Sequence, residues 1–211
     1  SVERREGYGG KDIYVSFKKS DGKWTAPKNI GPDINTAGDD ITPFVAADGK
    51  TMYFSTDGQS GYGSHDVFIS KRLDHTWKNW SDPKNIGPQV NTEGWDAFYT
   101  VEASGEFAYF TSYHNSLGEG DIFRIRLDES QKPDPVAIVK GRVLNAETGE
   151  PISAEIVYKE SGEEEAAGNA NSTPGSGDYQ IILPNGKAYS FYAEARGYYS
   201  LDENIDLTEM E

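Results

Sequence analysis

Carboxylates recur at fixed places in this sequence, and their spacing limits the chemistry open to them. Asp12, Asp66 and Asp121 each follow a glycine-rich stretch and open a run of aromatic and β-branched residues, at offsets of 54 and 55. Side chains at equivalent positions of a repeat are spread around a fold and do not converge on one point, so no catalytic set is expected from them. The role that fits is structural: each carboxylate accepts hydrogen bonds from N–H groups of the turn before it. Asp39 with Asp40, and Asp96 after Trp95, are the weak candidates for oxygen ligands to a metal. Calcium takes about six to eight oxygens, and no loop here has the regular acidic spacing that would supply them, so no metal site is assigned. His65, His75 and His114 lie in expected loops without HxxxH or HExxH spacing and read as surface residues. No GxSxG elbow occurs, and GYGG at 7–10 precedes a strand and not a helix, which removes the phosphate-cradle reading. The expectation is a chain without catalytic residues and without a cofactor. Trp80, Trp95 and Tyr113 are aromatics able to stack on sugars, but large rings mostly serve burial, and packing is the favoured reading.

Composition sets the frame for those residues. The 211 residues carry 35 Asp and Glu against 20 Lys and Arg, a net charge of −15. Binding a phosphate backbone needs concentrated Lys and Arg, so a nucleic-acid partner is excluded. Aromatics at 12%, 23 glycines and a hydrophobic fraction of only 36% suit short strands joined by tight turns, and the expected class is all-β. From Ile138 onward there are 14 Asp and Glu against 5 Lys and Arg, which marks the C-terminal third as a separate unit. The absence of cysteine leaves no disulfide framework and no thiolate zinc site, and does not decide the compartment. No apolar run approaches the ~20 residues of a membrane helix, and SVERREGYGG lacks the apolar core of a secretion signal. Any such signal is expected upstream.

An internal repeat organises the first two thirds. KDIYVSFKK (11–19) aligns with HDVFISKRL (65–73) and GDIFRIRL (120–127), and APKNIGPDINTAGDD (26–40) returns as DPKNIGPQVNTEGWD (82–96). DGKTMYFST likewise returns as SGEFAYFTS. A period of this size points to one supersecondary unit per repeat. Met52–Thr56, Asp66–Lys71 and Phe107–Thr111 read as strands, KKSDGKW and RLDHTW as hairpin turns closed by Trp24 and Trp77, and IGPDINT as the crossing between units. One repeat, about 38–92, is complete; its neighbours are partial. Arg124 replaces the apolar Val15 and Ile69 of the earlier repeats, a change that suits a face turned to solvent or to the C-terminal domain.

Asp128–Pro135 (DESQKPDP) reads as a linker, with the division into domains expected at 1–131, 132–136 and 137–211. Beyond it, VAIVKGRVLNAETGEPISAEIVYKE reads as a hairpin turning at Thr148 and Gly149, SGEEEAAGNANSTPGSG (161–177) as a mobile loop, and DYQIILP with KAYSFYAEARGYYSL as a second hairpin about Asn185-Gly186.

These patterns resemble known families. ADGKTMYFSTDGQSGYGSHDVFISKR resembles the WD-like β-propeller repeat of TolB-type proteins, and the GPxxNT block with its acidic pair resembles propellers of OmpA-family envelope proteins. Gly141-x-Val143, Gly149-x-Pro151, Asp178-Tyr179 and Gly197-Tyr198 resemble the carboxypeptidase regulatory-like domain, a small transthyretin-like β-sandwich. SDGKW (20–24) has only a superficial likeness to the Asp-box of sialidases, itself a structural motif. The combination implies a partial propeller of about two and a half blades followed by a sandwich, from a peptidoglycan-associated OmpA-family protein linked to type IX secretion. It further implies a periplasmic, outer-membrane-associated location, and envelope proteins, among them secretion-apparatus subunits, as partners. Peptidoglycan would be bound only through a domain absent from these residues. Open blade faces imply self-association, and a carbohydrate-binding or glycosidase-like propeller is the alternative function.

Overall fold

The computed structural model describes residues 1–19 and 22–210; Ser20 and Asp21, the front of SDGKW, and Glu211 lie outside the described residues. The chain is all-β, made of several small antiparallel sheets, with one short 3-10 turn and no α-helix among the described residues. It divides between Pro133 and Asp134 into two compact units.

In the first unit β1 (Val2–Glu3) pairs with β2 (Lys11–Asp12), and β3 (Tyr14–Val15) with β4 (Lys28–Asn29). Next, β5 (Asp40–Val45), β6 (Thr51–Thr56), β7 (Asp66–Lys71) and β8 (Lys84–Asn85) form a four-stranded meander in chain order. A three-stranded meander follows, of β9 (Asp96–Val101), β10 (Phe107–Ser112) and β11 (Asp121–Arg126). The repeat extends to irregularities: the register slips between Ile41 and Phe44 and again at β9–β10, and Thr42 and the equivalent Phe98 both take left-handed backbone, φ 49° and 55°.

Hydrophobic alternation is imperfect in β6 and β7 because both faces are covered. Met52, Phe54 and Phe68 pack with Ile13, Ile30, Ile34 and Trp80 on one side. Tyr53, Val67 and Ile69 pack with Tyr99, Val101, Ala108 and Phe110 on the other. Each of these large side chains contributes about 1.5–3 kcal/mol on burial. The three-stranded sheet β9–β11 is covered on one face, where Phe123 and Ile125 join the second cluster, while Ile122 on the opposite face is 78% exposed.

Two local expectations are corrected here. The second hairpin is closed by Trp80, which bridges Arg72 and is buried, whereas Trp77 sits at φ 62° with its ring 4.6 Å from the Arg72 guanidinium. Trp24 does bridge Lys18. Residues 128–133 are not a free linker: Glu129–Gln131 form the 3-10 turn, and Gln131 accepts the Tyr53 hydroxyl at its carbonyl and donates its side-chain amide to the Ile86 carbonyl.

The second unit has six strands, β12 (Val136–Arg142), β13 (Glu155–Glu160), β14 (Gly168–Asn171), β15 (Asp178–Pro184), β16 (Ala188–Glu194) and β17 (Leu201–Asp206). They form one sheet of β12 and β15 and another in the order β14-β13-β16-β17. Ile156, Ile181, Leu183, Tyr189 and Phe191 from both sheets make the core. Neither expected hairpin exists, because burying two apolar faces against each other sends consecutive strands to different sheets. β12 pairs with β15, leaving only a Leu144–Pro151 bridge between the would-be hairpin arms. The Asn185-Gly186 turn likewise crosses between sheets, its amides donating to the Pro135 and Leu207 carbonyls at 3.1 and 2.9 Å. Nor is 161–177 one loop: β14 lies within it, because Ala170 reaches the core and Gly168 lies so close to Tyr158 that a Cβ would meet its hydroxyl at 2.4 Å.

Candidate functional site

The three repeat-equivalent aspartates share one geometry. Asp12, Asp66 and Asp121 each accept, on Oδ2, the amide N–H four residues earlier: Tyr8 at 2.9 Å, Tyr62 at 2.7 Å and Leu117 at 2.6 Å. Each carboxylate ties a loop to the start of the strand that follows it. The glycine-rich loops have their reason in this contact, since a Cβ on Gly61 would lie 1.5 Å from Asp66 Oδ2 and one on Gly7 2.2 Å from Asp12 Oδ2. Asp12 and Asp66 are buried and Asp121 half-buried.

Asp40 and Asp96 use the same device one element on, accepting the Thr36 and Thr92 amides at 2.6 Å each, with the threonine hydroxyls at 3.2 and 2.8 Å. Burial pushes the Asp40 carboxyl above the usual range, with a smaller push from the Asp12 charge. Asp39 faces outward and moves the other way: the Lys11 amide at 2.7 Å is the main cause, with the Lys11 ammonium at 3.2 Å assisting. Asp39 therefore differs from Asp40 and Asp96, and the structure does not gather these three into a ligand set. Among the described residues no group of three His, Asp or Glu side chains is placed to hold a metal ion.

The NIGPxxN block does more than cross between units. Asn35 accepts the Ile13 amide at 2.8 Å and donates to the Ile13 carbonyl at 3.0 Å; Asn91 does the same to Val67 at 2.8 and 2.9 Å. Each side-chain amide thus imitates one residue of a neighbouring strand. Asn29 and Asn85 hold these amides at 2.9 and 2.8 Å and cap Gly31 and Gly87. The repetition of both asparagines, six apart, was the signal in the sequence for this clamp.

The aromatic and histidine candidates separate. Trp80 belongs to the core, whereas Trp95 stands edge-on to Phe98 and Tyr113 with ring centroids 5.6 and 5.9 Å away. Phe98 and Tyr113 are exposed. His75 and His114 are exposed, but His65 is not a surface residue: its side chain is 15% accessible, it bridges Trp95 and its Nε2 lies 3.9 Å from Asp57.

A concavity that the sequence did not announce lies within the second unit. It is a groove of about 360 Å³ between the two sheets, lined by Val143, Ile156, Phe191, Leu201 and Ile205, with Glu194 and Glu203 among its walls. Leu201 at 60% and Leu144 at 42% exposure leave apolar surface uncovered there. Pockets of this volume with mostly apolar walls and a few polar groups are typical of binding sites.

Comparison with known proteins finds no matching family model, no matching curated protein and no matching solved structure.

Proposed function

We propose that this chain is a non-catalytic scaffold and protein-binding piece of a bacterial cell-envelope protein. In this reading the successive meanders are blades of a partial TolB-like β-propeller, and the second unit is a transthyretin-like sandwich. The observation that carries the non-catalytic part is the use of the acidic residues: Asp12, Asp66, Asp121, Asp40 and Asp96 each spend an oxygen on an amide four residues earlier. Carboxylates committed to loop closure at repeated positions are poor material for an acid–base pair. The envelope setting, periplasmic and outer-membrane associated, rests on the family resemblance, as do partners among secretion-apparatus subunits. Anchoring to peptidoglycan belongs, on the same resemblance, to a separate OmpA-like domain.

Trp95, Phe98 and Tyr113 favour one second reading, a carbohydrate-binding propeller, since exposed rings stack on sugars. A glycosidase would also need two carboxylates about 5–9.5 Å apart across a pocket. A glycan array with a hydrolysis screen on the full chain separates the readings. Absence of saturable glycan binding and of turnover is the expected result; saturable binding lost in Phe98→Ala would replace the scaffold by the carbohydrate reading.

A further inference from the structure

β11 lies at the edge of its sheet, paired with β10 alone. Leu127, just past β11, donates its amide to the Glu106 carbonyl at 3.0 Å, on the β10 side. Alternation turns the backbone groups of Ile122, Arg124 and Arg126 to the other side, where no strand lies among the described residues. The equivalent edges of the two earlier units are filled. Lys28 and Asn29 pair with Val15 and Tyr14 while Asn35 clamps Ile13, and Lys84 and Asn85 pair with Ile69 and Phe68 while Asn91 clamps Val67. Ile122 follows Asp121 as Ile13 and Val67 follow Asp12 and Asp66, yet no asparagine among the described residues clamps it. The face repeats this difference. Ile86 and Val90 of the second block are buried in one cluster with Tyr53, Val67 and Ile69, whereas Tyr109 and Ile122, the counterparts of Tyr53 and Val67, are exposed. An open strand edge beside an uncovered apolar face is the arrangement that accepts an added strand.

We infer that the outer edge of β11 binds a partner protein's segment built as an acidic residue followed by Asn-Ile-Gly-Pro-x-Ile/Val-Asn. Its first two residues pair with Arg124 and Phe123, its last asparagine holds the Ile122 amide and carbonyl, and its two aliphatic side chains cover Tyr109 and Ile122. The acidic residue is where the segment departs from the chain's own blocks. There Lys28 and Lys84 stand opposite the apolar Val15 and Ile69, but on β11 the same position faces Arg124. Like charges directly opposite each other are destabilising and unlike charges favourable, so a carboxylate replaces the lysine. Arg126 is already paired with Glu106 at 3.3 Å, and the Arg124 guanidinium rests 4.8 Å from the Phe107 ring, which leaves Arg124 as the cation that sets the preference. The same charge disfavours the Lys-bearing blocks of a second copy. The inference rests on the protein-binding reading above and names the partner's chemistry.

The test is an NMR titration of the full, isotopically labelled chain with a synthetic peptide of the sequence of residues 82–92, Glu standing in place of Lys84. Saturable shifts centred on β11 and Tyr109, with slower hydrogen exchange at the Ile122 amide, are expected. Ala in place of the peptide's last asparagine should weaken binding about tenfold or more, since two hydrogen bonds are lost. Restoring the lysine should weaken it about threefold, the size of one exposed cross-strand charge pair. Arg124→Glu should reverse that charge preference and Arg124→Gln should abolish it, with the spectrum otherwise unchanged. Shifts centred elsewhere, equal binding of the Asn and Ala peptides, or a charge preference absent or reversed in the unaltered chain would overturn the inference, as would light scattering that shows the edge filled by a second copy. Failure of the peptide while envelope proteins are still captured by the chain would remove the β11 edge alone; failure of both would remove the reading beneath it.

Discussion

Asp66 is the clearest single residue on which to separate structure from function. Its Oδ2 accepts the Tyr62 amide at 2.7 Å and it is 1% exposed, so Asp66→Ala removes a charged acceptor from a part-buried turn amide and leaves a hole at a buried position. The expected cost is about 1–3 kcal/mol, read as a lower denaturation midpoint without loss of any binding activity. An unchanged midpoint with lost binding would make it a functional residue. The adjacent pair Asp39 and Asp40 gives a pH signature, because the two shifts have opposite sign. Asp40 has its carboxyl raised by burial, so its favourable contribution is complete below the unfolded value and is lost as pH rises through the folded one. Asp39, lowered mainly by the Lys11 amide, contributes stability above the unfolded value that is lost as pH falls through the folded one. Replacing Asp40 by Asn should therefore help near neutral pH relative to acid, and Asp39→Asn should hurt near neutral pH with the difference shrinking in acid. Chemical denaturation of both variants across that range checks the signs; parallel curves for the two would contradict the assignment.

Strands in the first unit were legible because aromatic and β-branched runs recur with their turn residues, and Asp66–Lys71 opens and closes where the pattern says. The second unit was legible only in part. Turn chemistry at Asn185-Gly186 is local, but strand pairing is decided by which apolar faces must meet, so β12 finds β15 and β16 finds β13. β14 escaped notice because an edge strand built from Gly168, Asn169, Ala170 and Asn171 has the composition of a loop. The asparagine clamps were visible as a repeated NIGPxxN block, yet their partners, Ile13 and Val67, are 22 and 24 residues away. The groove has no local signal at all, since it exists only where one sheet is wider than the other. With its own core and two sheets, the segment 134–211 is expected to fold alone, giving dispersed amide resonances, and to be nicked first within 161–167 rather than throughout 161–177. Early cleavage inside β14 would contradict the pairing of β13 with β14.

For the molecule as a whole, the acidic surface and the two-unit organisation suit a module that works by contact. Its buried carboxylates serve loop closure, its core is divided among sheets, and a largely apolar groove of about 360 Å³ lies within the second unit. The measurement that bears most directly on the scaffold reading is affinity capture on the immobilised full chain from a Gram-negative envelope extract, quantified by mass spectrometry against the same matrix without the chain. Saturable retention of a small, reproducible set of envelope proteins, secretion-apparatus subunits among them, is the expected result. Retention of no protein above background, with glycan or small-molecule turnover in its place, would contradict it.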